Sequence, residues 1–79
     1  MVTLHVMLSD IERVKAFIAQ SSRLTEDVDV SSGRYTVDAK SILGIFSLDL
    51  NQVLTLTVHG DDEAGYRRAF GAFLEDPAQ

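Results

Sequence analysis

Four stretches of this chain alternate apolar and polar residues with a period of two, which constrains its fold more than any other feature. Val2, Leu4, Val6 and Leu8 are interleaved with Thr3, His5 and Met7; Val28 and Val30 with Asp27 and Asp29; Tyr35 and Val37 with Arg34, Thr36 and Asp38; and Leu54, Leu56 and Val58 with Thr55, Thr57 and His59. Successive side chains of a strand point to opposite faces, so each stretch reads as a strand with one buried and one wet side. The second and third are joined by Ser31-Ser32-Gly33, residues suited to a tight turn, and form a hairpin. Strands that are wet on one face fit an antiparallel sheet covered by a single helical layer, the α+β class, rather than a parallel sheet buried on both sides.

Between the strands the period changes. Ser9-Asp10-Ile11-Glu12 has the form of a capping box, and Ile11, Val14, Phe17, Ile18 and Ser21 follow at helical spacing, which predicts a helix from Ser9 that fades before Thr25. Asp61, Asp62 and Glu63 place negative charge at the start of a last helix whose stripe is Tyr66, Ala69, Phe70, Phe73 and Leu74. Gly65 and Gly71 each weaken that helix by about 1 kcal/mol relative to alanine, so packing must hold it. The closing DPAQ reads as a frayed tail. The resulting order is strand, helix, strand, strand, short element, strand, helix, within a single domain over residues 1–79.

Size and charge narrow the function. A chain of 79 residues with no cysteine holds one small core, so recognition is expected on the surface rather than in a deep site. No apolar run approaches the roughly 20 residues that span a bilayer, and a cytoplasmic protein is the simplest reading. A net charge of −5 repels nucleic-acid backbones and anionic lipid, and Arg13, Lys15 and Arg23 make only a small basic patch. Neither nucleic acid nor a membrane is expected as a partner.

The segment KSILGIFSLDL, from Lys40 to Leu50, fits neither a regular strand nor a long helix. Together with the preceding TVDA, the strand after it and HGDDEAGYRRAF, it resembles the histidine-containing phosphocarrier (HPr) family of the bacterial phosphotransferase system. The family pattern V-N-x-K-S-I-M-G-x-M-S-L-G is similar to the stretch here, most specifically from Lys40 to Leu48, with Asp38, Leu43 and Phe46 in place of its asparagine and two methionines. The resemblance covers nearly the whole chain and implies an open-faced β-sandwich in βαββαβα order. A ferredoxin-like domain that senses small molecules is the competing architecture, and it would carry a full helix between the third and fourth strands.

The resemblance also assigns positions. Counting back from Lys40-Ser41, the family's phosphoacceptor histidine falls near Asp10, its arginine near Glu12 and its proline near Arg13, where this chain reads M-L-S-D-I-E-R-V. The implied member is one in which Asp10 stands at a degenerate acceptor position and no histidine phosphocarrier chemistry remains; a carrier using an unrecognised acceptor is the alternative. An aspartyl phosphate needs a cation and further carboxylates to offset its charge, and Asp10 is better explained as a helix-start carboxylate. His5 and His59 read as surface strand residues. No catalytic residue, metal or cofactor is expected.

Ser41 corresponds to the serine that HPr kinase/phosphorylase modifies in many Gram-positive members, and it is equally a simple N-cap. Ile42, Leu43 and Phe46 correspond to the family's apolar docking patch, which engages protein partners, a transcription regulator among them. Spaced i, i+1 and i+4 on a helix of one or two turns, they cannot all point inward. Asp49 replaces the usual glycine after S-L, and the loop at Asn51-Gln52-Val53 is about two residues shorter than the family's, a departure that bears on partner choice.

Overall fold

The computed structural model describes residues 1–75. Its elements are β1 (Val2–Val6), α1 (Ile11–Ser22), β2 (Val28–Ser32), β3 (Tyr35–Asp38), α2 (Ile42–Phe46), β4 (Leu54–Val58) and α3 (Glu63–Ala69), followed by a 3₁₀ turn (Gly71–Phe73). The four strands form one antiparallel sheet in the order β1-β4-β2-β3. This is the βαββαβα open-faced sandwich. The ferredoxin-like alternative fails at α2, which is five residues long where that fold needs a full helix.

The alternation in the sequence becomes the two faces of the sheet. Val2, Leu4, Val6, Val28, Val30, Leu54, Leu56 and Val58 are buried under the helices, whereas Thr3, His5, Asp29, Ser31, Thr55 and Thr57 line the other face. Register pairs these residues face by face, with Leu4 opposite Leu56 and Leu56 opposite Val30. Val14 and Phe17 of α1 and Tyr66 and Phe70 of the last helical segment close the core. Phe17 packs at 5.3 Å from the ring of Phe70 and edge-on to Phe73 at 5.6 Å, spacings at which aromatic pairs attract. Gly33, with φ of 57°, supplies the one positive φ of the β2–β3 hairpin turn, a conformation that costs glycine little.

Several local expectations are corrected. The N-cap of α1 is Asp10 rather than Ser9: its Oδ1 accepts from the Arg13 amide at 2.9 Å, which leaves Ser9 outside the helix. Ile11, expected on the apolar stripe, is 54% exposed, and the face that α1 buries is Val14, Phe17 and Ser21. Ser21 does lie inside, where its hydroxyl donates to the Phe17 carbonyl at 2.9 Å and satisfies its polar group within the helix. The last helix is shorter than its stripe. It stops at Ala69, and Leu74 leaves the helical path to form an antiparallel bridge with Val6. Glu75 donates to the His5 carbonyl at 2.8 Å and Met7 to the Phe73 carbonyl at 2.9 Å, so the chain after α3 covers part of the outer edge of β1. Tyr35, expected on a half-buried strand, is 73% exposed. The expected frayed tail at 76–79 lies outside the described residues.

Candidate functional site

The surface that carries the notable motif is built from its ends inward. Ala39, fully buried, donates to the Val28 carbonyl at 2.9 Å and holds the chain to the sheet as β3 ends. Asp38 then shapes the turn, with its Oδ1 accepting from the Lys40 amide at 2.8 Å and its carbonyl from the Ser41 amide at 3.0 Å. The Lys40 side chain turns inward, and its Nζ donates to the carbonyls of Leu24 at 2.9 Å and Glu26 at 3.0 Å. The lysine of the motif is thus a clamp between the approach to α2 and the α1–β2 loop. This role was not legible from sequence, because its partners lie 14 and 16 residues away.

Ser41 adopts an extended backbone and caps α2, its hydroxyl accepting from the Gly44 amide at 3.2 Å. The Ser47 hydroxyl closes the other end by donating to the Gly44 carbonyl. A Cβ on Gly44 would stand 3.1 Å from the Cβ of Val37, so glycine at this position lets α2 lie close on β3. Ile45 and Leu48 are buried and anchor the helix. Having spent those two positions inward, α2 projects the rest outward: Leu43 is 81% exposed, and Ile42 and Phe46 are each 43% exposed. Past the helix, Ser47, Leu48, Asp49 and Gln52 face the β2–β3 turn across a shallow cleft of about 390 Å³, with Arg34 and Tyr35 on its far wall.

Asp10 sits at the start of α1, its carboxylate committed to the Arg13 amide. Arg13 does not reach toward an incoming group. Its Nε donates to the Met7 carbonyl at 3.0 Å, its NH2 to the Ala72 carbonyl at 3.1 Å, and its guanidinium lies 5.7 Å from the centre of the Phe73 ring. The arginine therefore ties the β1–α1 loop to the 3₁₀ turn, a link no local sequence signal announces. His5 is half-buried on β1 opposite Thr55. His59 follows β4, and its Nε2 lies 2.8 Å from Asp29 Oδ2, in a cleft also lined by Asp27, Asp38 and Lys40. Among the described residues, no group of three or more His, Cys, Asp and Glu is placed to hold a metal ion.

Behind α2 the ends of the elements are locked together by Glu26. Its carboxylate accepts a short hydrogen bond from the Tyr66 hydroxyl, and Gly60 makes the room, since a Cβ there would fall 2.0 Å from that hydroxyl. The bond from Tyr66 holds the Glu26 carboxyl below its ordinary value, and the same bond raises the Tyr66 phenol above its own.

Comparison with known proteins agrees with this geometry. Residues 13–76 match the model of the PTS-HPr family, described as the PTS HPr component phosphorylation site. The HPr-like protein Crh of Halalkalibacterium halodurans is 33% identical over 61 residues, covering 75% of this chain and 73% of that protein. The crystal structure of HPr-C-His from Thermoanaerobacter tengcongensis superposes with a TM-score of 0.76 at 26% identity, covering 91% of this chain and 89% of the other. The phosphocarrier protein HPr from Bacillus anthracis str. Ames superposes with a TM-score of 0.72, also at 26% identity, covering 94% and 96%. With its fold and the family match over residues 13–76 in accord, the chain belongs to the HPr family of the phosphotransferase system.

Proposed function

We propose that this chain is a regulatory or adaptor member of the family, one that binds a protein partner through Ile42, Leu43 and Phe46 and does not carry phosphate on a histidine. The observation that carries the reading is the division of labour on α2. Ile45 and Leu48 hold the helix down, while Leu43 is largely exposed and Ile42 and Phe46 each keep 43% of their surface in solvent. Exposed apolar side chains grouped on one short element mark a contact surface more often than scattered ones do. A known relative is itself described as the HPr-like protein Crh, in keeping with a regulatory member. Among the described residues no helix is long and apolar enough to cross a membrane. The reading makes the protein a cytoplasmic one, with HPr kinase/phosphorylase or a transcription regulator as the kind of partner the family implies.

The absence of carrier activity follows from chemistry at the start of α1. Counting back from Lys40-Ser41 puts the family's acceptor position near Asp10, whose carboxylate is engaged as a cap, and Arg13 is engaged with carbonyls and a ring. Ser41 is the proposed point of control. A phosphate on its oxygen would replace the cap to Gly44 with stronger acceptors beside the free amides of α2, so modification and helix are compatible.

Incubation with enzyme I and phosphoenolpyruvate, followed by intact-mass spectrometry with an ordinary HPr as control, tests the reading. The expected result is an unmodified chain. A labile phosphate on Asp10, His5 or His59 would make it a carrier and overturn the proposal.

A further inference from the structure

The exposed apolar residues of this protein stand in a consistent electrostatic setting. From Ser41 to Leu48 the chain has no charged residue. The cation just before it, Lys40, is drawn inward onto the carbonyls of Leu24 and Glu26, while the acids on either side, Asp38 and Asp49, are exposed. The same pattern recurs at the start of α1, which packs against α2. There Ile11 is exposed between the exposed acids Asp10 and Glu12, and the next cation, Arg13, is withdrawn onto Met7, Ala72 and Phe73. At both places the positive charge is used inside and the negative charge is left in solvent.

We propose that the α2 surface selects a basic partner, whose binding face has an apolar centre for Leu43 and Phe46 and a rim of lysine or arginine. The proposal rests on the contact-surface reading of α2 and adds the charge of the partner to it. A net charge of −5 steers a cationic surface toward the molecule and opposes a second copy of the chain, which would bring like charges together around the patch. Arg34 lines the same cleft as Asp49 and Lys15 is exposed on α1, so the two offset part of this charge without reversing a net charge of −5. An apolar contact supplies affinity of either charge sense, and the rim decides which partner keeps it.

Two synthetic amphipathic helical peptides provide the test, identical in their leucine face and carrying either lysine or glutamate on the other. Each is titrated into the full chain while the amide resonances of Ile11, Leu43 and Phe46 are followed by NMR. The lysine peptide is expected to shift these resonances, with affinity falling on the order of tenfold between about 0.05 and about 0.5 M salt. Asp10→Asn and Asp49→Asn remove charge while keeping a side-chain oxygen for the Arg13 and Asn51 amides. Each is expected to weaken the lysine peptide about two- to five-fold, and Asp61→Asn, beside the Met1 amine at the edge of the sheet opposite β3, to leave it unchanged. Equal binding of both peptides would overturn the charge selection and leave the contact surface standing. Failure of both to move α2 would overturn the two together. Concentration-dependent shifts of α2 in the free protein would point to a second copy as its occupant and overturn the proposal as well.

Discussion

The Tyr66 hydroxyl donates to the Glu26 carboxylate across 40 residues of sequence, joining the last helix to the loop that leads into β2. This bond gives the protein a pH signature. Glu26 is held below its ordinary 4.5 by Tyr66, so its contribution to stability is complete above 4.5 and is lost as pH falls through the lowered value. Tyr66 is raised above its ordinary 10.0 by Glu26, so its contribution is complete below 10.0 and is lost as pH rises through the raised value. Tyr66→Phe should therefore flatten both limbs of the stability profile while leaving the core filled. Denaturation midpoints measured across the pH range check this, and parallel profiles for the two proteins would contradict it.

Gly60→Ala tests the same bond from the other side. The added methyl would stand 2.0 Å from the Tyr66 hydroxyl and 3.0 Å from Glu26, so the tyrosine must move and the bond must loosen. Overpacking of this kind costs about 1–3 kcal/mol. In a Tyr66→Phe background the hydroxyl is gone and most of that cost should vanish, which a double-mutant cycle measures directly. Additive losses would locate the strain elsewhere.

Lys40 offers a test of the clamp beneath α2. Lys40→Ala leaves the part-buried carbonyls of Leu24 and Glu26 without their donor, and hydrogen bonds to a charged group are worth about 1.5–3 kcal/mol. The variant should lose stability in that range, while Lys15→Ala, an exposed change on α1, should stay within about 0.5 kcal/mol. A neutral Lys40→Ala would mean that water replaces the ammonium without loss.

How far these features could be read in advance depends on the distance over which they act. Alternation in β1, β2 and β4 is a local signal and matches the buried faces residue for residue. Tyr35 breaks the rule because the last turn of α2 ends at Phe46 and leaves a cleft rather than a cover over the start of β3. Ser9 and Asp10 are both good caps and the local sequence does not choose between them, while Ile11, in the first turn, is left exposed by a helix that buries Val14, Phe17 and Ser21. Leu74 keeps the helical spacing of its stripe yet pairs with Val6, because burial can be satisfied by a bridge as well as by a helix. The contacts of Lys40 and Arg13 are tertiary and have no pattern along the chain. At the site itself, Ile42, Leu43 and Phe46 come from the resemblance to HPr, and their spacing tells only that all three cannot point inward, whereas the inward turn of the neighbouring cations has no signal along the chain.

The two sides of α2 should separate under mutation. Ile45 is fully buried, and Ile45→Ala should cost about 2–5 kcal/mol through lost transfer energy and the cavity left behind. Leu43 is 81% exposed, so Leu43→Ser should change stability by no more than about 0.5 kcal/mol, whereas Phe46, 43% exposed, gives up the contacts of its covered part and brings the double serine variant to a loss of about 1–2 kcal/mol. The same double variant should lose binding to any partner that uses the patch, because covering what remains exposed of the two side chains contributes roughly 2–4 kcal/mol before the costs of association. Chemical denaturation and NMR titration on one pair of variants thus read the two roles independently. A Leu43→Ser variant that loses several kcal/mol of folding free energy would assign Leu43 to the core, and the contact surface on α2 would have to be given up.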